Sequence, residues 1–294
     1  MKLVTFMHNG SESVGALAGD RVVDLFSGSM SARPDMIALL EGGPSALAEV
    51  RKIVDRALVG NGSSSLSHPL GEVRLLAPVP RPGKIICIGL NYRDHAEEVG
   101  MKIPERPILF SKYASAVVGP DEKVVIPAVT QEADYEAELA VVIGRKARGV
   151  GEAEALDYVA GYTMVNDVSA RDLQLRLGGG QWLWGKTLDT FAPMGPTLVT
   201  SDEVPDPSDL DIAFRLNGQT MQDSNTRNLI FGVQALIAFI SQAITLEPGD
   251  VISTGTPGGV GFNRKPPVYL KAGDVMEVEV EGLGVLRNQV VREG

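Results

Sequence analysis

The sequence predicts a β-rich α+β fold, with a small α+β domain ahead of a larger one. Short apolar runs of strand type recur along the chain, whereas long helical patterns are rare. The Gly- and Ser-rich stretch 60–68 has the composition of a linker, and prolines punctuate residues 78–82 soon after it. We therefore expect a small N-terminal domain over residues 1–72 and the main domain over residues 73–294.

The N-terminal domain is predicted to contain three short strands followed by two short helices. Residues 2–7 alternate as a strand does, and residues 14–25 hold two more strand-like runs. Apolar residues within 35–58 recur at near-helical spacing. The segment from Gly42 to Pro44 splits that stretch, so we expect two helices there rather than one.

The main domain is predicted to consist mostly of strands. The predicted strands are short apolar runs rich in strand-forming residues: 85–89, 124–127, 137–143, 161–166, 212–217, 251–254 and 275–280. Helix is expected only after Ser169 and over 229–243. The second of these helices is apolar almost all round, which predicts burial in the core or in a subunit contact.

Composition and charge exclude several classes of protein. The chain has 294 residues, 44% of them hydrophobic, and a formal net charge of −10, so it is not disordered and is a poor partner for nucleic acid or an anionic membrane. Its one cysteine, Cys87, excludes a disulfide framework and a cysteine-based zinc site. The N-terminus lacks a secretory signal pattern, and polar residues interrupt the apolar stretch 229–244. We expect a soluble cytoplasmic protein.

Two acids at the start of the predicted strand 137–143, one just before it and one within it, are expected to lie on the same face. Glu136 and Glu138 are two residues apart, and side chains at this spacing in a strand point the same way. Neighbouring carboxylates repel unless a cation or a proton lies between them. A solvated strand face with two exposed acids is the alternative interpretation.

A third acid follows the predicted strand 161–166. Asp167 lies at the strand end, and Ser169 is a plausible helix N-cap, with Asp172 three residues later. Three acids from two strands would make an all-oxygen site, which suits Mg²⁺ or Mn²⁺. The alternative for Asp167 is an acid that favours a helix start through the helix dipole.

A histidine and an acid are spaced one helical turn apart after the predicted strand 85–89. His95 and Glu98 are at i and i+3, so a helix would bring their side chains into contact. A carboxylate beside an imidazole fixes its tautomer and raises its basicity, as a water-activating base requires. An exposed helix with polar neighbours is the alternative.

These segments together resemble the fumarylacetoacetate hydrolase family, over roughly residue 75 to the C-terminus. The motifs that carry the resemblance are specific in combination: Gly89-Leu-Asn-Tyr-x-x-His95-x-x-Glu98, Tyr135-Glu-x-Glu138-Leu, Asn166-Asp-x-Ser-Ala-Arg-Asp172, Gly185-Lys186 and Thr254-Gly-Thr-Pro257. The stretches 182–196 and 262–271 are most similar to the domain-containing type-2 proteins of that family. The first seventy residues resemble the small N-terminal domain that many bacterial members carry.

The resemblance implies a mixed β-roll catalytic domain with a divalent metal, Mg²⁺ or Mn²⁺, held by three carboxylates. By motif these are Glu136, Glu138 and Asp167. It implies that His95 and Glu98 activate water, on a lid segment that orders over the substrate. It also suggests a homodimer.

The resemblance assigns further residues to the substrate. Lys186 would stabilise the charge of a developing enolate beside the metal. Arg171, Gln174 and Thr256 match positions that hold carboxylate or carbonyl oxygens of the substrate in relatives.

The expected activity is hydrolysis of a C–C bond in an acylpyruvate-like or 2,4-diketo acid, with a small keto acid as the binding partner. The alternative is an isomerase, tautomerase or decarboxylase that acts on oxaloacetate or a hydroxymuconate-type acid at the same metal site. One scaffold can host all of these reactions, because each needs a stabilised enolate.

Overall fold

The computed structural model describes residues 1–26, 35–59 and 67–294, and strands dominate it. The strands within these residues, in chain order, are β1 (Lys2–His8), β2 (Ser11–Ala18), β3 (Arg21–Asp24), β4 (Ser67–Pro69), β5 (Arg74–Leu75), β6 (Ile85–Gly89), β7 (Ile108–Lys112), β8 (Val117–Val118), β9 (Lys123–Ile126), β10 (Ala133–Asp134), β11 (Ala137–Ile143), β12 (Val159–Asn166), β13 (Ser169–Ala170), β14 (Ala192–Thr200), β15 (Asp211–Leu216), β16 (Gln219–Asn225), β17 (Val251–Ser253), β18 (Val275–Val280) and β19 (Gly284–Arg292).

Helices are fewer and shorter than strands. The α-helices are α1 (Met36–Glu41), α2 (Gly43–Val59), α3 (Arg93–Val99), α4 (Leu183–Lys186) and α5 (Val233–Ser241). A π-helical turn spans Leu173–Leu177. Short 3₁₀ turns span Leu70–Glu72, Ala114–Ala116, Glu152–Tyr158, Ser201–Glu203, Thr226–Asn228 and Gly261–Asn263. The sequence prediction of a β-rich mixed fold is confirmed.

One large sheet runs through most of the protein. Its main path has the order β4-β3-β2-β1-β14-β12-β11-β17-β6-β7. The N-terminal strands join the rest through antiparallel pairing of β1 with β14, where Leu3 lies opposite Leu198. A second sheet has the order β16-β15-β18-β19-β9, and β10 pairs with β13 in a short ribbon. The division into domains at residue 72 stays a prediction.

Strand β11 lies near the centre of the large sheet and is buried on both faces. Leu139, Val141 and Ile143 belong to a core shared with the second sheet and α5. Ala140 and Val142 face a second core, which contains apolar residues of the N-terminal strands and helices. Because neither face of β11 meets solvent, a charged group on this strand must find its partners inside the protein.

The predictions for the first seventy residues are confirmed for the three strands and the two helices. Asp35 caps α1, because its side chain accepts a hydrogen bond from the backbone N–H of Ile37, and Gly42 separates α1 from α2. Residues 60–66 of the predicted linker lie outside the described residues. The rest of it was wrong: Ser67 and His68 pair with β3 as part of β4.

The predicted strands of the main domain are confirmed, but four long strands were missed: β7, β14, β16 and β19. The helix predicted over 229–243 begins only at Val233. Before it, the backbone of Ile230 and Phe231 donates hydrogen bonds to Asn91, which holds that segment out of a helix. Of the two environments predicted for this helix, the core is the one observed for most of its residues.

Ser169 does not cap a helix. It lies in β13, and its hydroxyl donates to the backbone carbonyl of Asp167 at 2.8 Å. Asp172 takes the capping role, since its carboxylate accepts the backbone N–H of Leu173. The predicted helix start is therefore shifted by three residues.

None of the helices in the described ranges is long and apolar enough to cross a membrane.

We predict that Leu139→Ala in β11 lowers the free energy of unfolding by about 2–5 kcal/mol, because it leaves a cavity in a fully buried site. Urea unfolding followed by circular dichroism measures the loss. Leu177→Ala is the control: this leucine is 65% exposed, and its removal should change stability by less than about 0.5 kcal/mol. Equal losses in the two variants would contradict the burial of β11.

Candidate active site

Three carboxylates meet at the edge of the sheet where β11 begins and β12 ends. Glu136 precedes β11, Glu138 lies within it, and Asp167 follows β12. The strands pair so that Ala137 lies opposite Asn166, and the N–H of Asp167 donates to the carbonyl of Glu136 at 2.8 Å. One oxygen from each carboxylate lies within 4.8 Å of the others. The spacing argument for Glu136 and Glu138 is thus confirmed.

All three carboxylates are buried, so the alternative of a solvated strand face was wrong. The exposed fractions are 6% for Glu136, 1% for Glu138 and 0% for Asp167. Burial of several acids in contact is unfavourable unless cations or hydrogen-bond donors compensate them. The surrounding residues show how this is achieved.

Lys186, the last residue of α4, bridges two of the acids. Its Nζ is 2.5 Å from Glu136 Oε2 and 2.9 Å from Asp167 Oδ2. Gly185 makes this approach possible, because a Cβ there would lie 2.5 Å from the backbone nitrogen of Gln174. A larger residue would push α4, and with it Lys186, away from the acids.

A second buried lysine was missed from the sequence. Lys112, the last residue of β7, has a fully buried side chain, and its Nζ lies 2.5 Å from Asp167 Oδ1 and 2.9 Å from the carbonyl of Val168. Burial lowers its pKa, and the Asp167 carboxylate partly offsets this effect. A lysine that ends an apolar run usually marks a strand end at the surface, so only the folded chain identifies this contact.

The electrostatic environment differs sharply between the two glutamates. Burial alone would raise the pKa of Glu136, but Lys186 and Arg171 outweigh it and bring the pKa to about 2. Burial, and then the carboxylates of Asp167 and Glu136, raise the pKa of Glu138 well above its usual value. The hydrogen-bond donors to Glu138 in the described structure are neutral: the hydroxyl of Ser253 at 2.6 Å and the N–H of Gly255 at 2.9 Å.

The donor set fits a divalent cation. With Asp134 included and every group ionised, as a bound cation would require, four buried acids face three buried cations here, which leaves one negative charge in excess. Glu138 is the acid in this set that makes no ion pair in the described structure. Clustered carboxylate oxygens are the ligands that Mg²⁺ and Mn²⁺ prefer.

Arg171 joins this site to a neighbouring loop. Its guanidinium lies 2.7 Å from Glu136 Oε1 and 2.9 Å from Asp134 Oδ2, and it donates to Gln174 Oε1 at 2.9 Å. Asp134 in turn accepts the backbone N–H groups of Gly261 and Phe262. Asp134 was also missed from the sequence, because a single acid before a tyrosine carries no recognisable signal.

The structure brings Thr256 to the same place. Its hydroxyl donates to the carbonyl of Ala137 at 3.0 Å and accepts from the amide of Gln222 at 2.8 Å. Arg171, Gln174 and Thr256 line one cavity with Glu136 and Glu138. Their assignment to substrate oxygens stays a prediction.

His95 and Glu98 lie on one turn of α3, a helix that the predicted secondary structure did not include, and the spacing of i and i+3 brings their side chains into contact. His95 Nδ1 is 3.2 Å from Glu98 Oε2, and the Glu98 carboxylate also accepts the N–H of Gly259 at 3.0 Å. Burial raises the pKa of Glu98, but the hydrogen bonds from His95 and Gly259 outweigh it, so the pKa is lowered. His95 is 9% exposed, so the alternative of an exposed polar helix face was wrong for this residue.

Gly259 can place its N–H against the Glu98 carboxylate because its backbone adopts a conformation that only glycine fits here. It has φ of +100°, and a Cβ there would lie 2.2 Å from the carbonyl of Met221. At the other end of α3, Asp94 accepts the hydroxyl of Ser224 and the backbone N–H of His95. These contacts fix α3 over the cavity. The lid function that the resemblance implies for the segment with His95 and Glu98 stays a prediction.

The cavity that these residues share has a volume of about 140 Å³. Its polar part contains the glutamates, Lys186 and His95, and its apolar part contains Ile108, Phe110 and Trp182 among others. A water molecule occupies about 30 Å³ in the liquid, so the space suits a small organic acid.

Comparison with known proteins places the chain in an enzyme family. The family described as Fumarylacetoacetate (FAA) hydrolase C-terminal matches residues 84–291. The bovine protein named oxaloacetate tautomerase FAHD2A, mitochondrial, is 46% identical over 99% of this chain and 92% of its own length. No observation tests the expected cytoplasmic location.

Solved structures agree with this relationship along the whole chain. A putative HpcE protein from Mycobacterium smegmatis has a TM-score of 0.87 at 38% identity, with both chains fully covered. Maleylpyruvate hydrolase from Sphingobium sp. SYK-6, solved with manganese(II) and pyruvate, has a TM-score of 0.81 at 32% identity over the full length of both chains. With the buried carboxylate triad and these relatives together, the chain belongs to the fumarylacetoacetate hydrolase family and resembles its domain-containing type-2 proteins.

Proposed function

We propose that this protein interconverts the keto and enol forms of oxaloacetate or a closely similar small 2-oxo acid, with a bound divalent cation. The observation that carries this proposal is the cavity of about 140 Å³, in which Glu136, Glu138, Lys186 and His95 face one small space, with Asp167 buried directly beside the two glutamates. A four-carbon diacid matches that volume better than a long diketo acid does. The bovine relative's name, oxaloacetate tautomerase, supports the same substrate class.

Glu136, Glu138 and Asp167 would hold the cation, which we propose to be Mg²⁺ or Mn²⁺. When bound, such a cation would act as a Lewis acid that polarises the carbonyl group of the acid. The manganese in the Sphingobium structure supports a cation of this type here.

Lys186 supplies fixed positive charge where the enol oxygen becomes negative. Its ammonium group is held by two carboxylates, so it needs no reorganisation during the reaction. Gln174 accepts from Arg171 through its carbonyl oxygen, which directs its amide N–H groups to other acceptors. We assign those N–H groups, together with Arg171 and Thr256, to the oxygens of the substrate.

His95 is the proposed proton carrier. In the neutral tautomer that donates from Nδ1 to the Glu98 carboxylate, Nε2 carries a lone pair and can act as a base. In the enol-to-keto direction, Nε2 takes the proton of the enol hydroxyl. The electron pair of the broken O–H bond stays on the oxygen, which gives the enolate. The imidazolium then gives a proton to C3, which restores the C2 carbonyl and the neutral histidine. The apolar part of the cavity wall limits the access of water.

Hydrolysis of a C–C bond in an acylpyruvate is the second candidate. The observation that favours it is the His95–Glu98 hydrogen bond of 3.2 Å, because the same pair can remove a proton from water. That water would attack the distal carbonyl, and the pyruvate enolate would leave. Decarboxylation of oxaloacetate needs only the enolate-stabilising groups. A keto acid as ligand and a homodimer as the assembly stay predictions.

We predict that Glu138→Gln weakens Mn²⁺ binding at least about tenfold, because the amide keeps the shape but removes one of three anionic ligands. Isothermal titration with Mn²⁺ in the presence of oxalate measures the change. Glu279→Gln is the matched control, since Glu279 pairs with Arg215 on the second sheet. Wild-type affinity in Glu138→Gln would contradict the assigned site.

We predict that His95→Gln lowers kcat for oxaloacetate tautomerisation by about 10²–10⁴, the usual contribution of a positioned acid–base group. The decay of enol absorbance follows the reaction. His68→Gln, a change in β4, serves as the control and should keep the wild-type rate.

The same variants separate the two candidates when acetylpyruvate replaces oxaloacetate. If the wild type cleaves acetylpyruvate much faster than it tautomerises oxaloacetate, and His95→Gln loses that cleavage, hydrolysis is the function. Full tautomerase activity in His95→Gln would remove the histidine from the proposed mechanism.

A further inference from the structure

The candidate active-site cavity shares one wall with a second space on the protein. This outer groove has a volume of about 340 Å³ and is lined by residues of β7 and of the segment 180–183. Ile108, Phe110 and Trp182 line both the inner cavity and the outer groove. Among the described residues, these are the three that line both spaces, and together they form the wall between them.

Trp182 is the largest part of this wall, and its position is closely defined. A Cβ at Gly89 would lie 2.4 Å from Cζ3 of the indole, so β6 must end in glycine for the ring to lie there. The ring of Phe110 meets the indole edge-on, with ring centroids 5.6 Å apart and planes at 70°. Contacts on two sides thus hold the indole between the inner cavity and the outer groove.

The wall supplies apolar side chains to the inner cavity, and one of them, Phe110, lies beside Lys186, whose Nζ is 5.0 Å from the centroid of its ring. In the proposed reaction the carboxylate and 2-oxo group of the acid lie at the triad and Lys186, so an alkyl tail in place of the distal carboxylate of oxaloacetate would have the side chains of Ile108, Phe110 and Trp182 to contact. For a short acid the indole limits the space. A longer tail would need the volume that the indole occupies.

We propose that Trp182 sets the chain length of the 2-oxo acid that this site accepts, by separating the inner cavity from the outer groove. The inference rests on the proposed 2-oxo acid chemistry and names its specificity-determining residue. Without the indole, the inner cavity opens into the groove, and an aliphatic tail can leave the site along β7. Each added methylene in an apolar site changes selectivity by roughly tenfold or more.

Binding of N-alkyl oxamates tests this without turnover. These compounds keep the 2-oxo acid head group and carry an alkyl tail of chosen length. Isothermal titration in the presence of Mg²⁺ compares N-methyl with N-butyl oxamate in the wild type, Trp182→Ala, Trp182→Leu and Trp184→Ala. Trp184 is the matched control, because it lies two residues away on α4 and is 49% exposed.

We expect the wild type and Trp184→Ala to prefer N-methyl oxamate. In Trp182→Ala the preference should shift toward N-butyl oxamate by at least about tenfold, and Trp182→Leu should show a smaller shift in the same direction. Kinetics with acylpyruvates of increasing length provide a second measurement. The change should appear as a lower KM for long substrates, with kcat altered less, since the indole contacts the tail and not the reacting atoms.

The outcomes separate the inference from the proposed function. If N-methyl oxamate binds to every variant but the length preference is unchanged in both Trp182 variants, the inference is overturned and the proposed function stands. If the preference shifts as expected while oxaloacetate is not a substrate, the proposed reaction fails and the role of Trp182 stands. Should N-methyl oxamate not bind to the wild type, both fail. Trp182→Leu decides the result if Trp182→Ala does not fold.

Discussion

The structure of this site depends on one electrostatic constraint: carboxylates buried between β11 and β12 must be compensated inside the protein. Lys186 reaches two of them from α4, and Lys112 reaches Asp167 from β7. Each of these contacts ties a different segment to the central strands. Removing one partner of such a buried pair leaves an uncompensated charge, which is costly. The positions of α4 and β7 thus depend on these ion pairs as well as on apolar packing.

The same constraint reaches His95 and Glu98 through a chain of contacts. Arg171 links Glu136 to Asp134, and Asp134 holds the backbone of Gly261 and Phe262. Two residues before Gly261, the N–H of Gly259 anchors Glu98, which orients His95. The carboxylate triad and the His–Glu pair therefore have a fixed relative geometry, although they come from distant parts of the sequence. Preorganisation of this kind is what acid–base catalysis requires.

Local patterns in the sequence predicted the three acids, and the family motifs added Lys186 and Arg171, but Lys112 and Asp134 were missed. The spacing of Glu136 and Glu138 fixes their common face, because strand geometry has a period of two residues. The position of Asp167 could be predicted because it directly follows an apolar run that reads as a strand. Lys112 and Asp134, by contrast, resemble ordinary strand-end residues, and only tertiary contacts distinguish them.

The missed secondary structure has similar causes. β14 contains Pro193, Gly195 and Pro196, which normally count against a strand, and β16 is mostly polar. The start of α5 depends on hydrogen bonds from Ile230 and Phe231 to Asn91, about 140 residues away in sequence. Propensity describes a segment in isolation, whereas these segments adopt the structure that their partners stabilise. The combined motifs, by contrast, were enough to identify the family.

The proposed reaction would divide three tasks among different elements. Strands β11 and β12 would present the carboxylates that hold the cation for the head group, α3 would carry the proton-transfer pair, and β6, β7 and Trp182 would form the wall toward the tail. A substitution in the wall can therefore change which acid fits and leave the carboxylates in place. A change in α3 can alter the fate of the enolate and leave binding intact. This separation gives a physical reason why solved relatives of one fold carry names as different as isomerase and hydrolase.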